Sequence, residues 1–185
     1  MAELFPDAKI ICCVRNIAWV MDSIERLIRQ NAFDVSGLFC NATERATVYS
    51  RTEALTQGGR LVGFAYTALK EAFYSEHSHR LLLIDYELFT QRPDKTIALI
   101  YQFIREENFG HYYENVEYEA AEFDVKLKTR GLHSIRKKVE FQPRQTILPP
   151  DLFERFNNLS FWAEPSYSKA NLMVAKLKAN APQTP

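Results

Sequence analysis

A short apolar run ends in an arginine near the start of the chain, and a serine follows that arginine eight residues later. The run is IICCV, and the two polar residues are Arg15 and Ser23. Arginine brings a fixed charge and a planar fork of donors, and serine brings a hydroxyl, so the pair is suited to hold a phosphate. An ordinary alternative stays open, in which Arg15 ends a strand in solvent and Ser23 lies at a helix edge.

Two segments read as strands, because each is a short continuous apolar run of the kind found in parallel sheets covered on both faces. They cover 9–14 and 81–85, and Tyr86 and Glu87 follow the second one. Ligands of open α/β sheets bind beyond the carboxyl ends of the strands. If the two strands are parallel neighbours, Arg15 and Tyr86 lie on one rim of the sheet.

Apolar residues at helical spacing predict four helices in the first part of the chain. The first begins at Ile17, two more cover roughly 41–56 and 60–75, and Pro93 opens the fourth. The polar residues of the first helix lie opposite its apolar stripe, where we expect solvent; they are Asp22, Glu25, Arg26 and Arg29.

After about residue 110 the periodicity weakens, which indicates mostly loop with short extended pieces. The exceptions are a short helix opened by Pro149 and Pro150 and a final helix over 166–178. A proline is tolerated in the first turn of a helix, where its missing N–H costs nothing.

Strands separated by helices predict an α/β fold in one domain over 1–185. We expect 1–110 to carry the strands, 111–165 to form a cap of loops, and 166–185 to form a terminal helix and tail. Two strands make a poor sheet, and both read as central strands rather than edges. We therefore expect a second copy of the chain or a preceding segment to complete the sheet.

Composition narrows the functional classes. Lys plus Arg equals Asp plus Glu at 23 each, which argues against a broad surface for nucleic acid. No long apolar run and no signal peptide occur, so we expect a cytoplasmic protein without a membrane span.

The four histidines lack metal-site spacing, so no metal is expected. Cys12 and Cys13 are expected to be buried, reduced thiols.

Two stretches resemble segments of the sulfotransferases that use 3′-phosphoadenosine 5′-phosphosulfate (PAPS), bacterial-type enzymes among them. FPDAKIICCVRNIAWVMDSIERL resembles their 3′-phosphate-binding segment, and RLLLIDYELFTQRPDKTIALIYQFI resembles a later strand, loop and helix. The resemblance implies a sulfotransferase fold related to the P-loop NTPases, with a parallel sheet flanked by helices. It implies that PAPS is the co-substrate, that Arg15 and Ser23 bind its 3′-phosphate, and that Tyr86 lies near its adenine.

The family also has a basic loop that closes over the nucleotide, and KTRGLHSIRKKVEF resembles it. That resemblance implies nucleotide contacts from Arg130, Gly131 and Arg136, whereas the alternative is a solvated basic loop. The sulfuryl group would go to a hydroxyl or amine of an acceptor. The acceptor pocket would be shaped by the helical stretch 31–75 and the aromatic segment 112–123.

The chain lacks one part that the resemblance leads us to expect. No GxxxxGK[ST] stretch occurs, and the catalytic base of the family also lies upstream of the arginine segment. We therefore expect the catalytic residues before Met1, in a longer reading frame. Two other classes stay open: a truncated nucleotide kinase or phosphotransferase, and a non-enzymatic module that binds a partner through an open sheet edge.

We predict weak or absent turnover for these 185 residues alone. Sulfuryl transfer needs charge stabilisation at the leaving phosphate and a base for the acceptor, and the chain supplies only contacts to the 3′ end of the nucleotide. The measurement is sulfuryl transfer from PAPS to a panel of alcohols and phenols, and robust turnover would refute the expectation.

Overall fold

In the computed structural model, which describes residues 4–116, 118 and 121–174, three parallel strands make one sheet. The strands are β1 (Ile10–Val14), β2 (Leu81–Asp85) and β3 (Asn171–Met173), in the order β1-β2-β3. The α/β class and the parallel sheet agree with the prediction. The chain divides into two compact units, and the sheet belongs to the first.

Strand β2 is the central strand of this sheet. Its residues from Leu81 to Ile84 are all at most 3% exposed, so both faces are covered, as the apolar run predicts. Strand β1 differs from the prediction, because Ile10 and Ile11 are 38% and 45% exposed. It is an edge strand, with a neighbour on one side only among the described residues. The predicted burial of Cys13 is therefore wrong, whereas Cys12 is half-buried and burial raises the pKa of its thiol.

The final helix that we expected over 166–178 is wrong for the residues that form β3; positions 175–178 lie outside the described residues. Asn171 pairs with Leu82 in parallel register, and its Nδ2 donates to the carbonyl oxygens of His79 and Leu81 at 3.0 and 3.1 Å. These distant backbone groups outweigh the local helix preference. The sheet thus takes its third strand from the same chain.

Helices α5 (Tyr86–Gln91) and α6 (Pro93–Ile104) follow β2 in the first unit. Asp85 caps α5, since its carboxylate accepts from the backbone N–H of Leu88 at 2.9 Å. The sequence prediction missed α5 but placed α6 correctly, because Pro93 occupies the first turn.

The second unit is helical and takes 15–72 and 110–160. Its helices are α1 (Ile17–Gln30), α2 (Ala42–Arg45), α3 (Val48–Thr56), α4 (Leu61–Tyr74, which ends in the first unit), α7 (Ala121–Leu127) and α8 (Pro150–Asn157). The predicted helix over 41–56 is two helices, because Thr47 is extended and its hydroxyl caps α3 at the N–H of Ser50. Helix α7 was not predicted.

No helix in the described part of the chain is long and apolar enough to span a bilayer.

Replacing Leu83 by alanine tests the core of the sheet. Leu83 is fully buried in β2, so Leu83→Ala should lower the free energy of unfolding by about 2–5 kcal/mol. Leu99→Ala is the matched control in the same unit, because Leu99 is 45% exposed, and its cost should stay near 0.5 kcal/mol or less. Denaturant midpoints give both values; equal losses would contradict the burial of β2.

Candidate anion-binding site

Arg15 and Ser23 are brought together by helix α1 of the second unit. Asn16 begins the helix, since its side-chain oxygen accepts from the N–H of Ala18 at 2.9 Å. Ser23 lies two turns further on and donates its hydroxyl to the Trp19 carbonyl at 2.9 Å. One terminal nitrogen of Arg15, Nη1, is 3.4 Å from the Ser23 hydroxyl oxygen. The two residues therefore face the same space.

A second arginine reaches the same hydroxyl from a distant part of the chain. Arg144 Nη2 lies 2.6 Å from Ser23 Oγ, and its guanidinium carbon is 5.6 Å from the centre of the Trp19 ring. The stacked geometry suits a cation over an aromatic face. Arg144 Nε is buried and has no hydrogen-bond partner among the described residues. A buried donor of this kind is costly unless a ligand or water satisfies it.

These residues line a cavity of about 460 Å³, which we call the arginine cavity. Four arginines contribute to its wall, and no acidic side chain among the described residues does. Its arginines are Arg15, Arg26, Arg136 and Arg144. Ser23, Gly131 and several apolar residues complete the wall. A concave site with this charge is suited to an anion that carries more than one negative charge.

Asp22 fixes Arg144 in place beneath the cavity. This carboxylate is fully buried, and one oxygen contacts Arg26 Nε and Arg144 Nη2, each at 2.9 Å. The other oxygen accepts from the Thr146 hydroxyl at 3.1 Å and from the N–H of Ile147 at 2.8 Å. We call this carboxylate and its four partners the Asp22 cluster. Its contacts connect the segment 144–147 to α1.

The pKa values reflect this crowding of charge. Burial by itself would raise the pKa of Asp22, but the bonds from Ile147 and Arg26, the charge of Arg144 and the bond from Thr146 bring it below its ordinary value. Burial lowers the pKa of Arg144. Asp22 opposes that shift, while the neighbouring cations add to it; they are Arg15, Arg26 and Arg136. Positive charge in the cavity thus exceeds what Asp22 neutralises.

The loop that supplies Gly131 is held by a second buried carboxylate. Asp124 accepts from the N–H groups of Gly131 and His133 at 2.7 and 3.2 Å, and from His133 Nδ1 at 2.8 Å. Gly131 has φ of 84°, a left-handed conformation that favours glycine. The bonds to Gly131 and His133 lower the pKa of Asp124, with the contact from the His133 ring contributing most. His133 therefore has a structural partner in Asp124.

The residues named from the sequence do not all lie here. Arg15, Ser23, Gly131 and Arg136 line the arginine cavity. Arg130 is exposed and does not line it; its carbonyl oxygen accepts from Asn31 Nδ2 at 3.0 Å. Tyr86 belongs to the first unit, where it is the first residue of α5.

Sequence reasoning missed two of the cavity arginines. Arg26 was assigned to the solvent side of α1, although its position three residues after Ser23 places both on one helix face. Arg144 carries no local signal, because its place depends on contacts with residues more than a hundred positions away. The assignment of Asp22 and Glu25 to solvent is wrong, since both are at most 2% exposed.

The described residues include no group of three or more His, Cys, Asp or Glu side chains placed to hold a metal ion. The polar side chains that line the arginine cavity carry guanidinium, hydroxyl and amide groups; they are Arg15, Arg26, Arg136, Arg144, Ser23 and Gln30.

Asp22→Asn tests the Asp22 cluster. Removing one partner of a buried ion pair leaves the arginines uncompensated, so we expect a loss of about 3–5 kcal/mol at neutral pH. Because the pKa of Asp22 is lowered in the folded protein, its contribution is complete above the unfolded value of about 3.9 and disappears as the pH falls through the folded value. The difference between the variant and the parent protein should therefore shrink below about pH 4.

Urea unfolding from pH 7 to pH 3 measures this difference. Asp7→Asn is the control, because Asp7 is exposed and its replacement should change stability by less than about 0.5 kcal/mol. A loss for Asp22→Asn that stays constant with pH would contradict the ionised carboxylate.

Comparison with known proteins identifies one family. The profile of the sulfotransferase family matches residues 1–109, which include both strands singled out in the sequence and the pair Arg15 and Ser23. No curated protein and no solved structure matches the chain. The match covers more than half of the 185 residues, and the sheet has the α/β architecture expected from the resemblance. The chain therefore belongs to the sulfotransferase family, whose members transfer sulfuryl groups.

Proposed function

We propose that this sulfotransferase uses PAPS as its sulfuryl donor and that the arginine cavity binds the 3′-phosphate of the nucleotide. One observation carries the proposal: Arg15 and Arg144 approach the same Ser23 hydroxyl, at 3.4 and 2.6 Å, in a cavity lined by four arginines. Two guanidinium groups that converge on one point suit the tetrahedral oxygens of a phosphate monoester, which accept charge-assisted hydrogen bonds.

The donor set fits a dianionic group better than a neutral one. Four guanidinium groups line the cavity, and the buried carboxylate of Asp22 offsets one of them. A phosphate monoester carries between one and two negative charges, and it would offset much of the positive charge that Asp22 leaves. It would also accept from the buried Arg144 Nε, which lacks a hydrogen bond among the described residues. The resulting charge-assisted bonds are stronger than neutral ones.

The size of the cavity also supports a nucleotide fragment as its ligand. Its volume of about 460 Å³ lies within the range of roughly 300–1,000 Å³ that is common for small-molecule sites. Val20, Ile24 and Leu27 of α1 give it one apolar side. A phosphate at Ser23 with part of the adenosine against this side would use both the charged and the apolar wall.

In the proposed reaction, an acceptor hydroxyl or amine attacks the sulfur of PAPS. The new bond joins the acceptor atom to sulfur, the bond between sulfur and the bridging phosphate oxygen breaks, and 3′-phosphoadenosine 5′-phosphate (PAP) leaves. The acceptor gives its proton to a base. Binding energy at the 3′-phosphate, remote from the sulfur, holds the nucleotide in position for this displacement. Arg15, Ser23 and Arg144 act as binding residues in this scheme, and Gly131 and Arg136 lie on the loop beside them.

Calorimetric titration with PAP and with adenosine 5′-phosphate tests the proposal. The two ligands differ only in the 3′-phosphate, so their affinity ratio measures the contribution of that group. We expect Arg15→Ala to reduce PAP affinity at least about tenfold and Ser23→Ala about fivefold, since bonds to charged groups contribute more than neutral ones. Neither change should alter the affinity for adenosine 5′-phosphate.

Arg155→Gln is the control variant, because this α8 arginine pairs with Glu53 on the surface and does not line the cavity. It should bind PAP like the parent protein. ATP, which has no 3′-phosphate, separates this proposal from a nucleotide kinase. Equal binding of PAP and adenosine 5′-phosphate, or ATP binding that depends on Arg15, would overturn the assignment.

A further inference from the structure

A second cavity in the same unit is also lined by arginines. It has a volume of about 230 Å³, and it lies where α1 ends and α2 and α3 approach it. Its cations are Arg29, Arg45 and Arg51, and Ile28 and Phe39 form an apolar floor. We call it the Arg45 pocket. It lies close to the arginine cavity along α1, because Gln30 lines that cavity while Arg29 lines this pocket.

Two of its arginines are held by a buried carboxylate. Glu25 is 2% exposed, and it contacts Arg51 Nε and Nη2 at 2.8 and 2.7 Å and Arg29 Nε at 2.8 Å. Burial would raise the pKa of Glu25, but the bonds from Arg51 and Arg29 bring it below its ordinary value. Glu25 offsets one of these two positive charges, and its contacts fix both guanidinium groups in position.

Arg45 is the exception among the three. Its backbone carbonyl accepts from Arg51 Nη1 at 2.7 Å, but its guanidinium forms no hydrogen bond or ion pair within the described part of the chain. Its side chain is nevertheless half-buried. Asp34 also lines the pocket, yet it is exposed and forms no ion pair with these arginines. Three cations therefore face two carboxylates, and the pocket keeps a net positive charge.

We propose that the Arg45 pocket binds a carboxylate or sulfate group of the acceptor, next to an apolar part of the same molecule. Its volume is below the roughly 300–1,000 Å³ of a complete ligand site, so it takes one portion of a larger ligand. Arginine binds planar carboxylates and tetrahedral sulfates through paired donors. The floor formed by Ile28 and Phe39 favours an aromatic or aliphatic group beside the charge.

The role as acceptor site rests on the proposed function, whereas anion binding does not. Ser23 and Arg29 are six residues apart on α1, which corresponds to about 9 Å along the helix axis. Six residues also turn the helix by about 600°, so the two residues point to different sides of α1. A nucleotide with its 3′-phosphate at Ser23 and an acceptor with its anion at Arg45 would therefore occupy separate parts of one unit. The predicted substrate class is a hydroxyl or amine compound that carries a separate anionic group.

Calorimetric titration of the PAP-saturated chain with 4-hydroxybenzoate is the direct test, with 4-hydroxybenzamide as the neutral counterpart. We expect the carboxylate to bind at least about tenfold more tightly than the amide, and Arg45→Gln to remove that preference. Asp34→Asn should strengthen carboxylate binding, because it removes a like charge from the wall. Arg51 is unsuitable for substitution, since its loss would leave Glu25 buried with a weaker partner set.

Further titrations test which kind of anion the pocket prefers and whether the loss of binding is specific to Arg45. Inorganic sulfate in place of 4-hydroxybenzoate shows whether a tetrahedral anion is preferred to a carboxylate. Arg155→Gln should bind both probes like the parent chain, and Arg45→Gln should keep its PAP affinity. Equal binding of the acid and the amide, or full carboxylate binding by Arg45→Gln, would overturn the proposal.

The same titration without PAP keeps the two proposals distinct. If PAP does not bind but the Arg45-dependent preference for the carboxylate persists, the nucleotide assignment fails and the pocket assignment stands. If PAP binds as expected and the preference is absent, the pocket assignment fails alone.

Discussion

The buried carboxylate of Asp22 is the interaction on which the candidate site depends. It holds one arginine of its own helix and one from a segment more than a hundred residues later, both at 2.9 Å. The same carboxylate accepts from the backbone of Ile147 and so fixes the course of that segment. Without it, Arg144 would keep its contacts with Ser23 and Trp19 but lose its buried counter-charge, and several like charges would repel one another across the cavity. The stability of this region and its capacity to bind an anion therefore have a common origin.

Electrostatic repulsion among the arginines destabilises a site of this kind when no anion is bound. Burial lowers the pKa of Arg144 most, Asp22 opposes that shift, and the charges of Arg15, Arg26 and Arg136 add to it, so these cations disfavour one another in the free protein. A bound phosphate would relieve that repulsion and satisfy the buried Arg144 Nε. Part of the affinity would then come from removing a cost already present in the free protein, in addition to the new bonds. No acidic side chain among the described residues lines the cavity, so a bound phosphate would meet no like charge at its wall.

Signals within a few residues of sequence predicted the elements whose structure depends on those same residues. The buried strand β2 and the helix opened by Pro93 were placed correctly, because an apolar run and a first-turn proline are signals within a few residues. The pair Arg15 and Ser23 was found for the same reason. Strand β3 and the contacts of Arg144 depend on partners about 90 and 120 residues away, and no short window contains them. The burial of Asp22 was missed because an acidic residue on a helix is usually solvated.

Helix α1 uses one arrangement twice. Asp22 and Glu25 are three residues apart, both are buried, and each binds the arginine four positions later, at Arg26 and Arg29. Each also binds an arginine from elsewhere in the unit: Arg144 for Asp22 and Arg51 for Glu25. A buried carboxylate with two arginines leaves one positive charge beyond neutrality, so each cluster prepares an adjoining cavity for an anion. A single helix thereby positions the proposed nucleotide site and the proposed acceptor site, and the spacing of its two acidic residues relates one to the other.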